Sequence, residues 1–184
     1  MFSYFIDDEL SLVLLQKKDA PVIYQLIDKN RSHLREWLPW VDSTKSVEDS
    51  VTVIQMWLQS FANEDGFSTG ISYKGEIVGI IGFHKICQRN RSSSIGYWLS
   101  KDAQGKGIMT RACRALIEIG FREYDLHRIE IRCGEENHKS RLIPERLGFK
   151  QEGIIKDGEW LYNRFHNLVI YGLTKDQYQA IDSK

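Results

Sequence analysis

The chain has no net charge: 25 Lys and Arg stand against 25 Asp and Glu in 184 residues. A protein whose main task is gripping polyanions ordinarily shows a basic excess, so direct nucleic-acid binding is not expected. Cysteine is scarce. Cys87, Cys113 and Cys133 are odd in number and form no CxxC pair, which excludes a disulfide framework and a thiolate metal site. All three read as small buried hydrophobes in a reducing, cytoplasmic protein. Long apolar runs are missing as well. The longest, Ile77 to Phe83, is seven residues with two glycines, far short of the ~20 that span a membrane. Asp7, Asp8 and Glu9 stand where a signal peptide would be basic and then apolar. His127 and His138 have no HxH or HxxxH partner, so no metal is expected.

What is present describes an ordinary folded protein: 42% hydrophobic and 27% charged residues. No repeat, low-complexity tract or linker interrupts it, so residues 1–184 read as one domain. A chain of this length buries roughly 70% of its unfolded surface and needs no staple.

Leu10 to Gln16 reads as a strand. Asp19 then reads as an N-cap, with Pro21 in the first turn of a helix reaching Asn30. Ser32 to Trp40 reads as a second helix stopped by Pro39. Ser46 with Asp49 opens a third in capping-box style. From Phe67 the period changes to two. Phe67–Tyr73 and Ile77–Ile86 form a hairpin about Lys74-Gly75-Glu76, and Ser92 to Ser100 adds the next strand of a meander. A glycine turn, a helix to about Tyr124, a strand Arg128–Gly134, a short helix Ser140–Leu147 and strands Phe149–Ile155 and Phe165–Leu173 complete an α+β pattern. A polar loop is expected between the last two strands.

The most informative stretch is Gln104-Gly105-Lys106-Gly107-Ile108-Met109-Thr110, between a strand and a helix. Glycines let backbone approach a ligand, and free N–H groups at a helix start attract anions. A P-loop is excluded because Ser100 and Gly107 occupy two of its required positions. A dinucleotide fingerprint is excluded by Thr110. Lys101, Lys106, Arg111 and Arg114 against Asp102 give the segment a local charge of +3. A tight turn with no ligand is the plainer reading of the glycines alone, and the charge favours phosphate.

The run GYWLSKDAQGKGIMTRA is similar to the acyl-CoA-binding segment of the GNAT N-acyltransferase superfamily, pattern Q/R-x-x-G-x-G/A, with Gln104 and Gly107 matching and Met109 departing. ENHKSRLIPERLGF resembles the family's Asn-x-x-Ser helix followed by Gly-Phe. EGIIKDGEWLYNRFHNLVIYGL and IYQLIDKNRSHLREWLPW extend the likeness toward the ribosomal-protein serine/alanine N-terminal acetyltransferases (the RimL-like branch). The resemblance implies a mixed, mostly antiparallel central sheet flanked by helices, with a V-shaped splay between two central strands.

It also implies roles. Acetyl-CoA is the co-substrate, its pyrophosphate on Gln104, Gly105, Lys106, Gly107, Ile108, Met109 and Thr110, its pantetheine beside Tyr97, Trp98 and Leu99 and held by Asn137. The Leu99 N–H is the expected oxyanion donor and Ser140 the acid for the departing thiolate, although an Asn or Ser at a helix start is most often a cap. Glu159 is the expected base, directly or through a water, against the plainer reading of a solvated loop residue. Trp37 and Trp160 are candidates for the acceptor groove, and Arg141 either supports the cofactor or is merely exposed. Relatives often carry Asp at Asn167. A ping-pong route through Cys113 or Cys133 is disfavoured because no His stands at a telling spacing.

The expected activity is direct acetyl transfer to an amine, best the N-terminus of a ribosomal or other protein. A small-molecule acetyltransferase acting on a polyamine or aminoglycoside-like amine, and an acyl-CoA-binding module without catalysis, are the alternatives. The segment Glu152 to Glu159 carries a local charge of −2, which suits a cationic peptide or a polyamine. Relatives imply a homo-oligomer.

Overall fold

The structure is a computed structural model that describes residues 3–182, the side chain of Asp182 excepted. In chain order it contains β1 (Ser3–Phe5), β2 (Leu10–Leu14), α1 (Ala20–Lys29), α2 (Arg31–Arg35), α3 (Val47–Ala62), β3 (Phe67–Tyr73), β4 (Glu76–Phe83) and β5 (Ser92–Leu99). Then follow α4 (Ile108–Arg122), β6 (Arg128–Gly134), α5 (His138–Arg146), β7 (Lys150–Leu161), β8 (Arg164–Thr174) and α6 (Lys175–Asp182). The α+β pattern expected from the sequence is present, with β1 and α6 added at the ends.

Local signals act mostly as read. Asp49 N–H donates to Ser46 Oγ (3.3 Å) and Ser46 N–H to Asp49 Oδ2 (2.9 Å), so the capping box at α3 forms. Lys74 (φ 52°) and Gly75 (φ 87°) make the two-residue turn of the β3–β4 hairpin. Three readings need correction. Asp19 makes no side-chain cap on α1; its Oδ2 accepts from Gln16 N–H (2.8 Å) and closes a 3-10 turn instead. The second helix stops at Arg35, because Leu38 precedes Pro39 and is disfavoured in the helical region. The expected polar loop is strand: β7 runs on to Leu161 and turns at Tyr162-Asn163. Its polarity is that of a sheet edge wetted on both faces.

All eight strands form one sheet in the order β1-β2-β3-β4-β5-β6-β8-β7. Every neighbouring pair is antiparallel except β5–β6. That parallel pair follows from the α4 crossover, since parallel neighbours need a long connection. Pairing between β5 and β6 covers only Ser92–Ile95 against Arg128–Ile131. Beyond it the strands part, which is the V-shaped splay implied by the resemblance.

Each sheet face carries its own core. On one, α4 buries Ile108, Ala112, Leu116 and Ile119 against Ile81, Ile95, Ile131 and Val169. On the other, α1 and α3 bury Ile23, Ile27 and Ile54 against Ile80 and Trp98. Trp40 stacks at a tilt on Trp98, 6.2 Å between centroids, so it is spent on internal packing. Among the described residues no helix is long and apolar enough to cross a membrane.

Candidate active site

The split between β5 and β6 organises the site. Ser100 N–H donates to Val78 O (2.8 Å) and His84 N–H to Ser94 O (2.9 Å), which sets the phase of the β4–β5 ladder. Ser94, Gly96, Trp98 and Ser100 therefore spend their backbone groups on β4. Tyr97 and Leu99, of opposite phase, turn N–H and C=O toward the split. An extended ligand arm could pair there as an added strand. Side chains alternate faces, so Trp98 lies in the core under α1 and α3, while Tyr97 and Leu99 belong to the core under α4.

At the end of β5 the chain makes a 3-10 turn and then two left-handed glycines, Gly105 (φ 76°) and Gly107 (φ 70°). Nothing lies within 4 Å of where a Cβ would stand on either. The N–H groups from Gly105 to Thr110 take no partner among the described residues, and α4 has no side-chain cap. The turn thus presents a cradle of free donors at the positive end of a 15-residue helix. Only the backbone of Ile108 and Met109 can serve a ligand, because both side chains are buried. Their burial also accounts for a large residue at Met109, which packs inward. Arg111 is committed to Asp7 (2.6 Å), so the local positive charge is smaller than the sequence suggests. Two contacts that the sequence did not reveal hold this turn. Lys101 N–H donates to Asn30 Oδ1 (2.8 Å), and Gln104 Nε2 lies 2.7 Å from His33 Nε2.

On the α4–α5 face, Asn137 caps α5 by accepting from Ser140 N–H (3.2 Å), as the plainer reading of that residue held. The Ser140 hydroxyl lies 3.1 Å from Tyr97 Oη and 3.2 Å from Cys133 Sγ. Tyr97 Oη also donates to the Ser140 carbonyl (3.1 Å). Burial, with the nearby Cys133, pushes the Tyr97 phenol well above its ordinary value, so it stays protonated. Burial likewise raises the thiols of Cys133 and Cys113, leaving neither a ready thiolate. Arg141 serves structure: it donates to Tyr171 Oη (3.0 Å) and to Glu135 O (2.9 Å).

On the opposite face stand Trp37, Glu159 and His166. Cys133 and Gly134 are neighbours on β6 and point to opposite faces. The place where a Gly134 Cβ would stand is 3.1 Å from Trp37 Cε3 and 3.1 Å from His166 Nδ1 and Cε1. Glu159 is on a strand, directly across from His166, and its Oε2 lies 2.8 Å from His166 Nε2. His166 escaped the sequence reading; had Tyr162-Asn163 been read as a two-residue hairpin turn, the pairing of Glu159 with His166 would have followed. Trp160 is not brought to this group. It sits on the other face of the hairpin, 52% exposed, edge-on to Phe165 at 4.8 Å.

A pocket of about 280 Å³ adjoins His166, lined by Glu135, Glu136, Asp157, Arg164 and Asn167. Asn167 bridges it: Nδ2 donates to Glu135 Oε2 (2.7 Å) and Oδ1 accepts from Asp157 N–H (2.9 Å). Among the described residues, no three His, Cys, Asp or Glu side chains are placed to hold a metal ion.

Chemically, this is a slot that could take an extended arm, with an anion cradle at one end, hydroxyls on one face, a carboxylate–imidazole pair on the other, and an acid-lined pocket beside the imidazole. Residues 9–150 match the family described as the acetyltransferase (GNAT) domain. The chain is 37% identical over 181 residues to a putative ribosomal N-acetyltransferase, YdaF, of Bacillus subtilis (strain 168), covering 98% of this chain and 99% of that one. It is 30% identical over 166 residues to a ribosomal-protein-serine acetyltransferase of Escherichia coli (strain K12), covering 90% and 93%. Among solved structures, RimL, a ribosomal alpha-N-protein acetyltransferase in complex with coenzyme A, superposes with a TM-score of 0.92 at 27% identity over 96% of this chain and 99% of that one. The chain belongs to the GNAT acetyltransferase family of acyltransferase enzymes.

Proposed function

We propose that the protein transfers the acetyl group of acetyl-CoA directly to an α-amine, that of the N-terminus of a ribosomal or similar protein. The observation that carries this reading is the split itself. Its wall offers the free backbone groups of Tyr97 and Leu99, with hydroxyls on one face and the Glu159–His166 pair on the other.

The pyrophosphate rests on the free N–H groups from Gly105 to Thr110, with Lys106 exposed beside them. The pantetheine runs along Tyr97 and Leu99, near Asn137. The amine enters from the face of Trp37 and Glu159 and attacks the thioester carbon. Charge gathers on the carbonyl oxygen, where the Leu99 N–H stabilises it; removing such a donor costs ~3–4 kcal/mol in other enzymes. The C–S bond then breaks, and Ser140 Oγ, backed by the Tyr97 phenol, protonates the thiolate. An α-amine ordinarily titrates near 7.7–8.0 and a lysine near 10.4. An N-terminus is therefore far more often neutral at pH 7, which suits a site with weak bases. The acids Glu135, Glu136 and Asp157 attract a cationic N-terminal segment, and they equally suit a small polyamine.

Turnover of acetyl-CoA against ribosomal proteins, N-terminal peptides and polyamines, with mass spectrometry of the products, tests the proposal. Acetylation at a protein α-amine is expected. Turnover confined to polyamines rejects the protein acceptor, and labelling confined to lysines rejects the α-amine. We also take from the resemblance that the enzyme self-associates; a monomer in light scattering rejects that.

A further inference from the structure

The acidic residue singled out by the sequence is not alone, and its partner has the chemistry of a base. His166 sits directly across the hairpin from Glu159, and the two side chains meet at 2.8 Å through Nε2 and Oε2. The imidazole is 9% exposed and the carboxylate 34%. With Nε2–H donated to the carboxylate, the tautomer is fixed and the lone pair is on Nδ1. That nitrogen has no hydrogen-bond partner among the described residues. It lies over Gly134, 3.1 Å from where a Cβ would stand. Gly134 is on the stretch of β6 beyond its pairing with β5, so with no side chain there the ring edge that carries Nδ1 stands close to β6 where the strands have parted.

We propose that His166 Nδ1 is the proton acceptor for the attacking amine, and that Glu159 is its orienting partner. This rests on the acetyl-transfer reading above. The step balances as follows. The amine nitrogen bonds to the thioester carbon and becomes a cationic ammonium. It gives one proton to Nδ1. The C–S bond breaks and the thiolate takes a proton from Ser140, leaving amide and thiol. The imidazolium, paired with Glu159, then releases its proton to solvent, and Ser140 regains one.

The charged surroundings favour this division of labour. Gly134 and Trp37 bring no charge to the ring, and Glu159 faces it from β7. Glu135, Glu136 and Asp157 line the adjoining pocket; Arg164 on β8 is the cation there, and it leans on Glu136 (3.7 Å). Glu159 already engages Nε2 through Oε2, which leaves Nδ1 as the open lone pair of the ring. A Glu–His pair aimed at a nucleophile is a recurrent way to hold a base in one tautomer.

The test compares the wild type with H166Q, H166A and E159Q, using an α-amine peptide and acetyl-CoA. Affinity for acetyl-CoA, measured by calorimetry, reports that each variant is folded with an intact cofactor turn. H166Q can still donate to Glu159 but cannot take a proton. We expect kcat to fall by about 10²-fold or more in H166Q and H166A with acetyl-CoA affinity unchanged. Added imidazole should restore turnover to H166A, increasingly as the pH rises through the range where free imidazole loses its proton. E159Q should keep more activity than H166Q. If H166Q turns over within threefold of the wild type, or E159Q is dead while H166Q is active, Glu159 is the base and the inference is wrong. A wild type inert toward every amine would instead overturn the acetyl-transfer reading, and this inference with it.

Discussion

Asn167 shows how much one atom can decide. Its amide donates to Glu135 through Nδ2 and accepts from Asp157 N–H through Oδ1. An aspartate at this position could keep the second bond but not the first. The amide therefore lets Glu135 stand beside residue 167 without repulsion. N167D should destabilise the protein by ~1–3 kcal/mol at neutral pH, the cost of a lost partner with a like charge in its place. One of the two carboxyls would then be held above its unfolded pKa. The destabilisation is thus full at pH above that raised value and fades as the pH falls through it. Thermal melts of N167D and wild type at pH 7 and pH 5 check this; an equal deficit at both rejects the like-charge account. Gly134 is the companion case, where absence of a side chain lets Trp37 and His166 meet on one face of β6.

Elements are placed by signals of unequal range. The capping box at Ser46, the turn at Lys74-Gly75 and the glycines at the start of α4 act over three or four residues, and each was legible in the chain. The length of β7 was not. Its polar residues suit an edge strand as well as a loop, and only pairing with β8 separates the two. The tie between the α1–α2 corner and the glycine turn was invisible too, since Asn30 meets Lys101, and His33 meets Gln104, across 71 residues of chain. Sequence patterns report neighbours along an element; they do not report which loop a distant corner touches. That tie has a measurable consequence. H33A frees the Gln104 side chain, and a net hydrogen bond is worth ~0.5–1.5 kcal/mol, so acetyl-CoA affinity should weaken by roughly 2- to 12-fold. Calorimetry of H33A decides it; unchanged affinity means the corner does not hold the turn. Trp160 makes the converse point: its type suggested a substrate groove, and the two-residue period of β7 sends it to the other face.

At the scale of the molecule, zero net charge conceals a division. Free donors gather at one end of a split sheet, and acids gather around the pocket beside His166. The split exists because one parallel pair, forced by the α4 crossover, is joined over only four residues of each strand. The sheet then separates the polar groups by face: Ser140 of α5 with Tyr97 on one, and Glu159 with His166 beside Trp37 on the other. Under the proposed function, a thioester in the slot is reached by acid from one side and by amine and base from the other. The single-turnover rate of acetyl transfer to an N-terminal peptide, measured beside acetyl-CoA affinity for wild type, S140A and E159Q, tests this most directly. The account predicts that both variants bind acetyl-CoA as the wild type does, S140A losing about 10²-fold or more in rate and E159Q a smaller but clear part. Full transfer rates in both variants would contradict it.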